Sequence, residues 1–357
     1  MDIVGILENY FQQSPLAFMR AIPAEVLQFD DRAKYMCKFG CKNYNMKHSC
    51  PPESLEIRDE IDRQNNRWAI VFATSHQLAG SHSRYQIRAL NHQKELEMQR
   101  ICNEIEAIFD SNGINRIVLS SGSCRQCREC SMKYGEVCRK PKYRRTSMEA
   151  VGIDCQKTMN IAGFDFEMPN NGSINRCACI LTNDANLSRL YFNSRKSPQK
   201  FGYPSREQAL EMCYRLCDEY AYLYDCVRLI PLADIPVGSH ICDTCSSYGK
   251  NFACPPYSGK IDVSLWDFAV LWKWNANSKK KHRYNVALKT VHAAFFSLGY
   301  YFALSLRDCY CDECKECAYI RSEERVCSAR KLLSSSMQSQ GIDPRDFGEG
   351  KYGLELF

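Results

Sequence analysis

The sequence predicts an α/β (or α+β) protein made of two tandem copies of one small domain. Each copy is a short strand–helix–strand sheet with cysteine-rich metal-binding loops. Three observations predict it. Two cysteine groups recur in the same order in both halves, matched apolar runs lie between them, and one phrase repeats at a fixed distance from the last cysteine. A length of 357 residues agrees with about two domains.

The first group is Cys37, Cys41 and Cys50 in one half and Cys242, Cys245 and Cys254 in the other. Each ends in Cys-Pro-Pro, with eight residues between its second and third cysteines. Tyr44 or Tyr248 lies six residues before the last cysteine, followed by Asn45 or Gly249. Both of these residue types tolerate positive φ, so the same turn is expected in each copy. Next come the apolar runs Trp68–Phe72 and Phe268–Trp272, which read as buried strands. A helix follows in each: Ile87, Leu90, Met98, Ile101, Ile105 and Ile108 share one face, as do Ala287, Leu288, Val291, Ala294, Phe295 and Leu298. Gly113 and Gly299 are placed to stop these helices. Second strands at Arg116–Leu119 and Tyr301–Leu304 lead into the second cysteine group, and a parallel crossover pair is expected.

That second group is Cys124, Cys127, Cys130 and Cys138, matched by Cys311, Cys314, Cys317 and Cys327. Nine residues beyond the last cysteine, Ser147-Met148…Gly152-Ile153-Asp154 answers Ser336-Met337…Gly341-Ile342-Asp343. Thr146 with Glu149, and Ser335 with Gln338, read as capping boxes that start a short helix. Asp154 and Asp343 recur as candidate functional acids or as caps. The first copy is assigned to residues 1–195, a polar linker to 196–205, and the second copy to 206–357. The second copy opens with a helix near 206–224 and closes with a strand in Lys351–Phe357.

Composition narrows the function. Charged residues make up 25% and the net charge is +6, below what a dedicated nucleic-acid binder carries, so a nucleic-acid partner is not expected. No basic n-region precedes an apolar run at the N-terminus, and no stretch is long and apolar enough to span a bilayer. A cytoplasmic location away from the membrane is the expectation. There the 22 cysteines would stay reduced, which points to metal binding rather than disulfides.

Three thiolates at two-residue spacing, with a fourth further on, suit a [4Fe–4S] cluster. Zinc prefers two separated pairs and is the alternative. The Cys-Pro-Pro groups supply three thiolates each. They await a fourth ligand such as Cys155 or Cys309, leave one iron open, or bind zinc with His48. Phe252 replaces His48 in the second copy and argues against a shared histidine ligand. Cys213, Cys217 and Cys102 lie on apolar helix stripes and read as core, Cys177 and Cys179 share one strand face as a modest extra ligand pair, and Cys226 is uninformative. The run Arg139–Arg145 hugs the loop of the first copy only. It would favour a reduced cluster and attract an acidic partner, with plain solvation as the simpler reading. Lys279–Arg283 reads as a solvated loop.

The phrase Cys124-x-x-Cys127-x-x-Cys130…Cys138-Arg-Lys-Pro-Lys-Tyr-Arg-Arg-Thr-Ser-Met-Glu-Ala-Val-Gly-Ile-Asp154, preceded by the Cys-Pro-Pro group, resembles the predicted metal-binding family called domain of unknown function 2284. The resemblance covers about residues 25–182 and, more loosely, 205–357. The first copy departs at Asn45, where the family has glycine; the second lacks Arg-x-Pro after Cys327 and has Gln338 for glutamate. The resemblance implies metal binding and says little of a reaction. The leading expectation is therefore an iron–sulfur electron-transfer or redox accessory protein with two to four clusters and a redox protein partner. An enzyme with an open cluster at the Cys-Pro-Pro groups, used for reduction or sulfur chemistry, and a zinc-stabilised binding module are the alternatives. Oligomeric state is not indicated.

Overall fold

A computed structural model of the chain describes residues 2–54, 56–78, 84–166, 168, 172–193, 204–238, 241–275, 283–308, 317 and 334–357. The linker positions up to 203, most of Lys279–Arg283, Cys309, Cys311, Cys314 and Cys327 lie outside the described residues. The chain divides into two compact units, Met1–Cys37 with Asn43–Phe201, and Gly202–Phe357 with Lys38–Lys42.

In the first unit, α1 (Ile3–Gln13) begins where the Asp2 carboxylate accepts the Gly5 N–H at 2.7 Å. It is followed by β1 (Leu16–Pro23), α2 (Arg32–Gly40), α3 (Ile57–Arg63), β2 (Trp68–Gln77), α4 (Arg84–Ser111) and β3 (Ile117–Ser120). The two-residue β4 (Thr146–Ser147), α5 (Cys155–Ile161), β5 (Ser173–Thr182) and β6 (Tyr191–Asn193) complete the unit. The strand order is β4-β3-β5-β2-β1-β6. The expected crossover pair is corrected here: β2 and β3 run in the same direction, but β5 lies between them, antiparallel to both. The arrangement is a split β-α-β unit. β5 belongs inside the sheet because both of its faces are apolar. Cys177, Cys179 and Leu181 pack on one side and Ala178 and Ile180 on the other. The strict alternation of a strand divides β2 likewise, with Ala69, Val71 and Ala73 on one side, and Ile70 and Phe72 beneath α4 on the other.

The second unit repeats the plan with α6 (Arg206–Glu219), β7 (Tyr224–Pro231), β8 (Phe268–Trp274), α7 (Arg283–Leu298), β9 (Leu304–Arg307), β10 (Ser335–Ser336) and β11 (Tyr352–Leu356). Its order, β10-β9-β11-β8-β7, reproduces β4-β3-β5-β2-β1. The agreement reaches single residues. Pro23 faces Trp68 as Pro231 faces Phe268, and a register shift interrupts Leu16/Phe18 as it does Tyr224/Cys226. Isolated bridges join Phe29 to Ile153 and Val237 to Ile342.

Several local expectations change. α6 stops at Glu219, because Tyr224 already pairs with Trp274. β9 starts at Leu304, because Tyr300–Ala303 form turns after Gly299. The capping boxes do not form: Thr146 and Ser335 are strand residues, and Ser147 and Ser336 accept the N–H groups of Ala150 and Ser339 at 3.2 and 3.1 Å instead. Asp154 and Asp343 act as caps, accepting the N–H groups of Lys157 and Arg345 at 2.9 and 3.0 Å.

One buried charge stands out in the second sheet. Glu355 is fully buried on β11, with its carboxylate held by Ser305 and, at 2.7 Å, by His292 of α7. Burial disfavours the charged imidazole, but the Glu355 carboxylate outweighs it and raises His292 above its usual 6.5. A raised imidazole stabilises the fold fully below the unfolded value of about 6.5 and ceases to do so as pH rises through the folded one. Stability in urea is therefore expected to fall as pH rises past that value. The dependence should flatten in His292→Gln; an unchanged profile in the variant would remove the pair as its source.

Candidate metal centre

The loop that follows β3 is clamped before its first cysteine. Gly122 takes φ 66°, and a Cβ there would land on the Glu95 carboxylate. Glu95, on α4, needs that space: it accepts the Ser123 N–H at 3.0 Å and pairs with Arg125 at 2.6 Å. Gln99, one turn along, accepts the Arg125 N–H at 2.8 Å and donates to the Ser123 carbonyl at 2.7 Å. Gly122→Ala combines a left-handed backbone with displacement of this clamp, and a loss of about 1–2 kcal/mol in urea unfolding is expected. A variant as stable as the parent would show that the clamp yields freely.

Beyond the clamp, Cys124, Cys127, Cys130 and Cys138 line one open-mouthed cavity. A single 3-10 turn over Ser131–Tyr134, ended by Gly135 at φ 68°, brings Cys138 back towards the triplet. Ser131 fixes that return by donating to the Val137 carbonyl at 2.7 Å. Arg139, Lys140 and Arg144 line the same cavity, and Lys140 donates to the Gln126 carbonyl at 3.1 Å. Among the described residues, no three His, Cys, Asp or Glu side chains come close enough together to hold one metal ion. The four thiols share one cavity.

The opposite wall comes from the Cys-Pro-Pro segment, which the sequence treats as a separate group. Lys47 donates to the Cys124 carbonyl at 2.6 Å and to Ser123 Oγ at 3.3 Å. Burial and Arg125 lower its amine, while the nearby Cys50 and Cys124 thiols and Glu95 act in the other direction. Ser49 Oγ accepts the Cys124 N–H at 3.4 Å. His48, weighed above as a zinc ligand, uses Nε2 on the Glu136 carbonyl at 2.9 Å and lies 3.4 Å from Ser131 Oγ.

The Cys-Pro-Pro turns match between the copies. Asn45 and Gly249 both adopt positive φ, 53° and 68°, and each donates its N–H to the first proline carbonyl, of Pro51 or Pro255, at 2.8 Å. Both Pro-Pro bonds are cis. Cys37 lies on α2, and Cys41 just beyond its end; both are half-buried, whereas Cys50 and Cys254 are buried. Cys242 and Cys245 lie on and just after a 3-10 turn, and burial, then Cys245, raises the Cys242 thiol. Of the second copy's four-cysteine group, Cys317 alone is among the described residues.

Cys102, Cys155, Cys177, Cys179 and Cys213 are core residues. Burial pushes Cys102 up to about 11 and Cys213 up to about 12, so both are neutral near pH 7. Cys217 accepts the Val227 N–H at 3.2 Å. Cys177 and Cys179 do share a face, but that face is the packed core, where the Cys155 thiol is pushed well up by its hydrogen bond to Cys177 and by burial. The sequence missed two contributors, Lys47 and Glu95. Their one signal was proximity, Lys47 lying three residues before Cys50, and nothing in the sequence marked Glu95.

The description "Predicted metal-binding protein (DUF2284)" matches residues 20–182 and again residues 228–349. No curated protein and no solved structure matches the chain. The matched segments contain both cysteine groups of each half, and they start in the equivalent strands β1 and β7 of the two units. With most of its length covered by two successive matches, the chain belongs to the predicted metal-binding family DUF2284, in two tandem copies.

Proposed function

We propose that Cys124, Cys127, Cys130 and Cys138 hold a [4Fe–4S] cluster and that the protein is an iron–sulfur electron carrier. One observation supports this reading above others: four cysteines, three of them at two-residue spacing, line a single cavity. A lone zinc needs its sulfurs about 2.3 Å away on all sides. A cluster interposes four irons and four sulfides, and so suits thiols spaced around a wider space. The donor set fits as well: soft thiolates select iron–sulfur clusters or zinc, with no carboxylate or imidazole required. When bound, the group would supply one-electron storage.

The chain's own residues do the rest. Glu95, Gln99 and Lys47 hold the Cys124 end of the loop, and Ser131 and Gly135 direct Cys138 back. Cys311, Cys314, Cys317 and Cys327 are the corresponding ligands of a second cluster. The Cys-Pro-Pro groups, Cys37, Cys41 and Cys50 with Cys242, Cys245 and Cys254, bring the total to between two and four. Lys133, Arg139 and Lys140 lie exposed around the first cavity, and they suit an acidic redox protein as partner.

Protein purified without oxygen is expected to be brown and to contain iron and acid-labile sulfide. Cys127→Ser and Cys314→Ser are each expected to lose one cluster's share of both. Zinc without sulfide would overturn the reading.

A further inference from the structure

The two copies share a fold and a ligand pattern but not a charge. Between Cys124 and Arg145 the chain carries eight lysines and arginines and two glutamates, a net of +6, as much as the whole protein. Between Cys311 and Ser334 it carries five cations and five carboxylates, a net of zero. The structure shows where the excess sits. Arg139, Lys140 and Arg144 line the cysteine cavity, and Lys47 closes it from the other side. At the corresponding positions the second copy has Ser328, Ala329, Leu333 and Asn251. Nearby carboxylates offset only part of the charge: Glu136 lies 3.7 Å from Arg139, Glu129 lies 3.8 Å from Lys133, and Glu95 is taken by Arg125.

We infer that Lys47, Arg139, Lys140 and Arg144 set the first copy apart as the more easily reduced of the two. The inference rests on the iron–sulfur reading above. Adding one electron makes the bound group one unit more negative; no bond forms or breaks, and the electron comes from an external one-electron donor, dithionite in the test. Cations fixed around the cavity stabilise that added charge, and a loop whose charges sum to zero offers no such net excess. Arginine and lysine at the mouth are partly screened by salt, so the difference between the copies shrinks as ionic strength rises.

The test uses the full chain, titrated anaerobically with dithionite and followed by electron paramagnetic resonance. Cys314→Ser leaves the first copy's four-cysteine group intact, and Cys127→Ser leaves the second's. At one applied potential, the first copy is expected to show a reduced-to-oxidised ratio about tenfold higher, which is 59 mV for a one-electron couple. Arg139→Ser with Lys140→Ala, both at exposed positions, should move the first copy towards the second, and Lys47→Asn should add to the shift. The second copy should not respond to these changes. Iron and sulfide present in both variants but with equal potentials, or a first-copy potential indifferent to the substitutions, would overturn this inference alone. Absence of iron and sulfide would overturn the iron–sulfur reading and this inference with it.

Discussion

Glu106→Ala is expected to destabilise the first unit by about 3–5 kcal/mol, the cost of stranding a buried charge. Arg145 closes the cationic run behind the cysteine loop, yet unlike its neighbours it is buried, 2% exposed. Its guanidinium pairs with Glu106 on α4 and donates to Asn103 Oδ1 at 2.7 Å. Removing Glu106 leaves the guanidinium with Asn103 Oδ1, inside the protein. Arg116, which also reaches Glu106, keeps Asp110 at 2.6 Å. The pair secures the end of the metal loop, because Thr146 and Ser147 follow directly as β4 on the sheet edge. Urea unfolding of Glu106→Ala measures the cost. The double replacement Glu106→Leu with Arg145→Met removes both charges together and should recover most of it. If the single variant loses under 1 kcal/mol, the buried pair does not anchor the loop.

Trp272→Ala is expected to cost about 3–5 kcal/mol in the second unit. Trp272 is fully buried on β8, with its ring edge-on to Tyr224 at 5.8 Å between centroids and tilted against Tyr284 at 5.2 Å. Directly across the ladder lies Gly353, and a Cβ added there would run into the indole. The first unit has Phe72 opposite Ala178 at the same register. Large and small have therefore been exchanged together: phenylalanine with alanine in one copy, tryptophan with glycine in the other. Gly353→Ala alone should cost about 1–3 kcal/mol through overpacking. Trp272→Phe alone should leave a gap. Their combination rebuilds the first unit's pair and should be more stable than the two single effects summed, by a coupling of about 0.5–3 kcal/mol. Additive losses would show that the exchange across the ladder is coincidental.

Much of the protein was legible in its residues because the relevant physics is local. The duplication shows in cysteine spacing, since ligand geometry constrains neighbours along one loop. The strand runs at Trp68 and Phe268 and the turn at Asn45 and Gly249 follow from side-chain alternation and backbone freedom, each contained within a few residues. Core roles for Cys102 and Cys213 follow from their place on an apolar stripe. The capping boxes show the limit of such reading: the motif at Thr146 and Ser335 is real in sequence, but pairing with β3 and β9 claims those residues for strands.

What tertiary structure alone decided are contacts between segments far apart in the chain. β5 enters between β2 and β3 because both its faces are apolar and need cover, a fact with no meaning until two sides of a sheet exist. Lys47 meets the Cys124 carbonyl across 77 positions, which places the two cysteine groups of the first copy side by side. Arg145 turns inward while Arg139 and Lys140 stay at the mouth, so charges alike in sequence differ in what they do. The sequence determined which residue types each loop offers, through spacing and period. The fold determined which of them share one cavity, because burial and charge depend on distance in space, not on position along the chain.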